Sequence, residues 1–308
     1  MKKVLFSIIL LLILALSACG SSSSEKKEST NKKEEKEEFF TYESETGPVE
    51  VPTDPKRVIL LSGFTGNVLK LGVNIAGVDV WSKSNPRFEN ELKDAEEVSD
   101  ENLEKIIELD PDLIIGLSNI KNIDKLKEIA PTVTYTWGKL DYLSQHIELG
   151  KLLNKEKEAT AWVDDFKQRA QEAGEKVKAK IGEDATVTVM EGYDKDLYIF
   201  GNNWARGTEI LYQGMQLKMP EKVKKDALKA GYYTISAEVI PEYAGDYIIF
   251  SKYSSADNSF QESETYKNIP AVKNNRVLEI DGESSSFTDP YTLDDQLKTF
   301  EKFFLESK

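Results

Sequence analysis

The sequence predicts an α/β protein: two α/β lobes with central, mostly parallel sheets, joined by one long rigid helix. Three observations carry this reading. Short apolar strands alternate with helical patterns through residues 39–153, as in βαβ units. The alternation resumes over 183–308. Between the two regions, at 154–182, runs a single amphipathic stripe.

In the first region, Val58-Ile-Leu-Leu61 follows the turn Asp54-Pro-Lys-Arg57 and reads as a strand. A short helix through Val68–Leu71 ends at Gly72, and Ile75–Val78 is the next strand. Leu103, Ile106 and Ile107 recur at helical spacing until Asp110-Pro111, a stop signal. Asp112–Gly116 is a third strand, Ile123, Leu126 and Ile129 mark a helix, and Val133–Trp137 is a fourth strand.

Ala159, Trp162, Phe166, Ala170, Ala173, Val177 and Ile181 follow one another at spacings of 3, 4, 4, 3, 4 and 4. That is one face of a helix. Asn154 is the expected N-cap and Gly182 the stop. Residues 155–181 would span ~40 Å at 1.5 Å per residue, enough for a stiff strut. Three alanines and few heptads argue against a coiled coil. Beyond the strut, Ala185–Met190, Leu197–Phe200, Asp246–Phe250 and Arg276–Ile280 read as strands. Glu209–Met215 and Leu293–Leu305 read as helices.

The amino terminus carries an address. Lys2 and Lys3 precede an apolar run from Val4 to Leu16, followed by Ser17-Ala-Cys-Gly20. This has the form of a signal peptide over 1–18, too short for a ~20-residue span. Cys19 is the only cysteine, so no intrachain disulfide forms. Residues 19–38 are rich in Ser, Lys and Glu and nearly devoid of apolar side chains, the composition of a flexible tether. The formal charge is −14, and removing Lys2 and Lys3 makes it −16. Such acidity argues against nucleic-acid binding.

The most informative stretch is Asp196-Leu-Tyr-Ile-Phe-Gly-Asn-Asn-Trp-Ala-Arg-Gly207. Tyr198 and Phe200 share a strand face. Trp204 and Arg206 occupy the turn that opens the next helix. Aromatic area beside one guanidinium suits a bulky polar ligand. For Trp204 alone, core packing is the competing reading. Phe64 and Trp137 lie at carboxyl ends of strands, where open α/β sheets bind ligands; core packing is an equal alternative for Phe64. Trp81 and Arg87 are weaker candidates. His146 is the only histidine, which leaves no zinc- or manganese-type ligand set, and it reads as a helix-surface residue. Tyr232-Tyr233 could donate phenolates to iron, but packing beside Gly231 is favoured. No Gly-x-Ser-x-Gly elbow or Walker loop is present, and an enzyme is not expected.

The chain resembles the solute-binding lipoproteins of iron-siderophore ABC importers, and among them the ferric hydroxamate-binding lipoproteins of Gram-positive bacteria. The resemblance rests on Pro52–Val58, Asp110–Ile115, Ile129–Val133, Tyr198–Met219, Tyr243–Ile248 and Thr288–Leu293, of which Gly201–Gly207 is the most specific. It implies the two-lobed fold of class III periplasmic binding proteins, with ligand held between the lobes. It implies that Trp204, Arg206 and Tyr198 contact a siderophore, with Trp137, Phe64 and Phe287 beside them. Iron would arrive already chelated, so no protein metal ligand and no cofactor are expected. Glu104 and Glu238 would dock to the permease of an ABC importer and its ATPase. Leu-Ser-Ala-Cys19 resembles a lipobox, which implies lipidation at Cys19 and a monomer anchored on the outer face of a Gram-positive membrane. An ordinary signal peptide beside an incidental cysteine is the alternative there.

Leu117 and Ser284–Ser286 depart from relatives that carry tyrosine or bulky aromatics, which implies a roomier pocket on that side. Only five arginines are present, and of these Arg206 and Arg87 alone can face the cleft. This favours a hydroxamate over an anionic citrate-type or catecholate chelate. Another iron chelate, haem or a corrinoid stays open beside it, as does a surface enzyme; a ligand panel discriminates them.

Overall fold

A computed structural model describes residues 38–193 and 196–307. The expected signal peptide, Cys19 and the tether through residue 37 lie outside them. No helix among the described residues is long and apolar enough to cross a membrane.

The chain opens with an antiparallel hairpin, β1 (Phe39–Ser44) and β2 (Gly47–Pro52). Tyr42 anchors it to the first lobe through a buried 3.0 Å hydroxyl contact with Tyr135. The first sheet follows: β3 (Val58–Leu60), α1 (Thr65–Lys70), β4 (Ile75–Val78), β5 (Glu96–Glu97), α2 (Leu103–Glu108), β6 (Leu113–Leu117), α3 (Ile123–Ile129) and β7 (Thr132–Tyr135). Strand order is β5-β4-β3-β6-β7, and every pairing is parallel. Its strands β3, β6 and β7 are buried on both faces, as helix-covered parallel strands must be.

Helix α4 (Tyr142–Leu152) leads into the strut, α5 (Glu156–Ile181). At 26 residues the strut is ~39 Å long. Its Ala159, Phe166, Ala170, Ala173 and Val177 are buried, as the stripe predicts, while Trp162 and Ile181 are half-buried and Val163, outside the stripe, is buried as well. Asn154 is not its N-cap. It sits at φ 56° in the left-handed region and closes α4, a role that asparagine tolerates without glycine. His146 is not on a surface either: it lies on the inner face of α4 at 1% exposure.

The second sheet is built from β8 (Val187–Tyr193), β9 (Asp196–Phe200), β10 (Tyr232–Ile235), β11 (Tyr247–Lys252) and β12 (Val277–Asp281), in the order β10-β9-β8-β11-β12. This sheet is mixed. Pairings β8–β11 and β11–β12 are parallel, whereas β8–β9 and β9–β10 are antiparallel. Only two residues separate β8 from β9, too few for a crossover helix, so antiparallel pairing is forced. Residues 209–214 coil as a π-helix rather than an α-helix. The last helix, α6 (Pro290–Glu306), packs Leu293, Leu297, Phe300 and Phe304 into the second lobe's core. It also reaches the first lobe: Asp294 Oδ2 accepts from Lys70 Nζ of α1 at 2.8 Å and from Trp162 Nε1 of the strut at 3.1 Å, while Oδ1 accepts from Arg169 at 2.7 Å.

Candidate functional site

Both sheets present the carboxyl ends of their parallel strands to one cleft, the place where open α/β sheets leave backbone groups and loops free for ligands. Leu61, Ser62, Gly63 and Asp79 come from the ends of β3 and β4, and Trp137 from the end of β7. Glu191 and Tyr193 on β8, Tyr198 and Phe200 on β9, and Tyr253 after β11 form the opposite wall. The enclosed space is about 600 Å³. A second compartment of about 560 Å³ adjoins it. Gly63, Trp137, Trp204, Arg206, Ser286 and Thr288 border both.

The turn from β9 to the π-helix is bent so as to aim Trp204 and Arg206. Ala205 and Arg206 both adopt left-handed backbone, at φ 57° and 54°. Two side chains without a glycine's freedom in such conformations cost stability, and strain of this kind gathers at functional sites. The turn is over-determined by polar groups of the following helix and by Ser285. Thr208 Oγ1 accepts from Trp204 N at 2.9 Å, Glu209 Oε1 from Ala205 N at 3.1 Å, and Ser285 O from Arg206 N at 2.9 Å. Glu209 is fully buried, and that burial raises its pKa above the ordinary carboxylate value.

Arg206 does not reach out alone. Its Nε and Nη2 donate to the two oxygens of Glu191 at 2.7 and 2.8 Å, and Nη1 donates to Trp204 O at 3.3 Å. The guanidinium also stacks on Phe200, 5.0 Å from the ring centre. Glu191 is 3% exposed and accepts a further bond from Ser251 at 2.7 Å. Of five guanidinium N–H groups, two stay outside these bonds. The pair is electrically neutral and fixed, leaving two donors for a ligand's oxygens.

Trp204 lies across Gly231, which takes φ 88°. A Cβ there would fall inside the indole, so the glycine permits the ring's position. Tyr232 packs on the indole at 5.1 Å and meets Tyr198 at 5.9 Å. On the other rim Tyr193 meets Tyr253 edge-on at 5.0 Å, and Tyr253 Oη bonds Ser286 Oγ at 2.7 Å. The serines at 284–286 therefore do not leave that rim bare. Tyr253 lies against Gly282 and covers it.

Trp204, Arg206, Tyr198, Trp137 and Phe287 all border the cleft, as does Trp81. Trp137 is 68% exposed, so an indole stands in water at the cleft mouth. Phe64 borders the second compartment but is 5% exposed and packs edge-on against Tyr135; its main role is core. Arg87 is not among the lining residues. It donates to Ser284 O and pairs with Asp295. Tyr232 lines the cleft, whereas Tyr233 faces Tyr243 on the other side of the strand. Glu104 and Glu238 are exposed, on α2 and in the turn 237–239.

Sequence reasoning missed Glu191, Tyr193 and Tyr253. A lone acid directly after the run Val187–Met190, on the same strand, is itself a signal, because a buried carboxylate needs a partner. Tyr193 and Tyr253 follow the same strand-end rule that singled out Trp137. Among the described residues, no group of three or more His, Cys, Asp or Glu comes together to hold a metal ion.

Known proteins resemble this one in both sequence and shape. The iron(3+)-hydroxamate-binding protein FhuD of Bacillus subtilis is 37% identical over 266 residues, covering 84% of each chain. The iron(3+)-hydroxamate-binding protein YxeB of the same species is 35% identical, covering 83% of this chain and 82% of its own. FhuD2 of Staphylococcus aureus, solved with bound ferrioxamine B, superposes with a TM-score of 0.77 at 34% identity, over 82% of this chain and 99% of that one. The family model described as periplasmic binding protein matches residues 59–283. With that match over most of its length, and an aromatic cleft between two strut-linked lobes, the chain belongs to the periplasmic binding protein family.

Proposed function

We propose that this protein captures ferric hydroxamate siderophores outside the membrane and delivers them to the permease of an ABC importer. It is a solute-binding protein, not an enzyme. The observation that carries the ligand assignment is the Glu191–Arg206 pair inside an aromatic cleft. A neutralised guanidinium with two spare donors suits hydroxamate oxygens of low charge, whereas a highly anionic chelate would need several uncompensated cations. Trp204, Trp137, Tyr198 and Tyr232 supply apolar area for the chelate's carbon linkers. The names of the relatives point the same way.

Glu104 and Glu238 are exposed, one on each lobe, as paired docking points to permease cations require. Single exposed ion pairs contribute little, so both are needed. Lipidation at Cys19 would tether the protein through residues 20–38; replacing Cys19 by Ala would release it into the medium.

Tryptophan-quenching titrations with ferrichrome, ferrioxamine B, a ferric citrate-type siderophore and a ferric catecholate test the ligand class. Tight binding of the two hydroxamates is expected. Tight binding of only an anionic complex would overturn the assignment.

A further inference from the structure

We infer that Asp79 and Glu283 make this cleft selective for cationic over anionic ferric chelates, so that a positively charged substituent on the ligand is recognised. This rests on the hydroxamate reading and goes one step further, to the charge of the preferred ligand.

Acids outnumber cations around the larger compartment. Among the described residues its acids are Asp79, Glu191 and Glu283, and its only cation is Arg206. Glu191 and Arg206 cancel one another through two hydrogen bonds. Two carboxylates remain, one on each wall. Asp79 follows β4 and is held by Ser82 N at 3.0 Å and Ser82 Oγ at 2.8 Å, which are neutral donors. Glu283 accepts from Ser254 Oγ at 3.2 Å, also neutral, and shares a hydrogen bond with the neighbouring Asp281 carboxyl, a further acid on that wall. Neither forms an ion pair of 4.0 Å or less among the described residues. No lysine among the described residues lines either compartment. The smaller compartment adds Asp141 and, among the described residues, no further cation. The field inside the cleft is therefore negative, and low-dielectric aromatic walls weaken its screening.

The discriminating ligands share one iron centre and differ only at a terminal amine. Ferrioxamine B is cationic, its N-acetyl derivative is neutral and its N-succinyl derivative is anionic. Quenching titrations should place affinity in that order, with each step roughly three- to tenfold. At about 1 M salt, where the Debye length is ~3 Å, the steps should shrink. In the Asp79→Asn and Glu283→Gln double variant, the ratio between cationic and anionic ligands should collapse. Asparagine keeps the oxygen that Ser82 needs, so the change removes charge rather than the turn. Equal affinities for the three ligands in the natural protein would overturn the inference while leaving the hydroxamate reading intact. A charge series that persists in the double variant would overturn the assignment to these two residues. Failure of all three ligands to bind would remove the hydroxamate reading and this inference together.

Discussion

Arg206 and Glu191 face each other across the inner wall of the second lobe, joined by two parallel hydrogen bonds of 2.7 and 2.8 Å. Because Glu191 is 3% exposed, removing its partner leaves a desolvated charge. Arg206→Ala should therefore lower unfolding free energy by about 3–5 kcal/mol, besides weakening ligand binding. A shape-matched apolar replacement of both residues should recover most of that stability while binding stays weak. Denaturant titration and ligand quenching separate the two effects. A single variant as stable as the natural protein would mean that water reaches Glu191 freely.

Gly231 and Trp204 give a second test. Alanine at 231 meets the indole and also a φ of 88°, a conformation costly for any side chain. Gly231→Ala should cost about 1–3 kcal/mol and push Trp204 off its seat. Ligand affinity should fall at least about tenfold, a loss of ~1.4 kcal/mol, with a shift in tryptophan emission. Unchanged emission and affinity would show that the indole does not depend on this glycine.

Much of this was legible in the sequence because it is periodic or local. The strut's stripe, Ala159 through Ile181, is a pattern of spacing alone. Trp204 and Arg206 were found because glycines bracket their turn. What escaped depends on non-local packing. Whether His146 faced water was decided by Asn67 and Trp162, which lie 79 and 16 residues away and meet it at 3.0 Å and edge-on at 5.2 Å. Whether Arg206 was free was decided by Glu191 on a neighbouring strand. Neither partner is marked by spacing, only by the physical demand that buried charges and donors be matched.

His146 makes stability depend on pH. Burial, then the nearby Lys70 charge, lowers its pKa from 6.5 to about 4. Above about pH 6.5 it is neutral in both the folded and unfolded chain. As pH falls from 6.5 toward 4, the unfolded chain binds a proton that the fold refuses, so stability drops. The loss should reach about 2–3 kcal/mol near pH 4. His146→Gln should flatten the slope of the urea midpoint between pH 4.5 and 6.5. Parallel slopes in the two proteins would assign the acid sensitivity elsewhere.

Asp294 links the two lobes and the strut. One carboxylate receives Lys70 from the first lobe, Trp162 and Arg169 from the strut, and itself belongs to the terminal helix. Burial alone would raise its pKa, but these three donors hold it below the ordinary value. Its contribution is thus present at neutral pH and lost as pH falls through the lowered pKa. A second link lies one turn earlier. Asp289 caps the terminal helix through Tyr291 N and Thr292 N, and its carboxylate fills the space where Gly66 of α1 lacks a Cβ. Packing that tight and a stiff 26-residue strut leave little room for hinge motion, so apo and loaded proteins should give nearly superimposable scattering profiles. Asp294→Ala should cost about 2–4 kcal/mol, as for a buried network losing its acceptor, and should open a measurable difference between the two profiles. A large compaction of the natural protein on loading would show that the lobes swing despite both links.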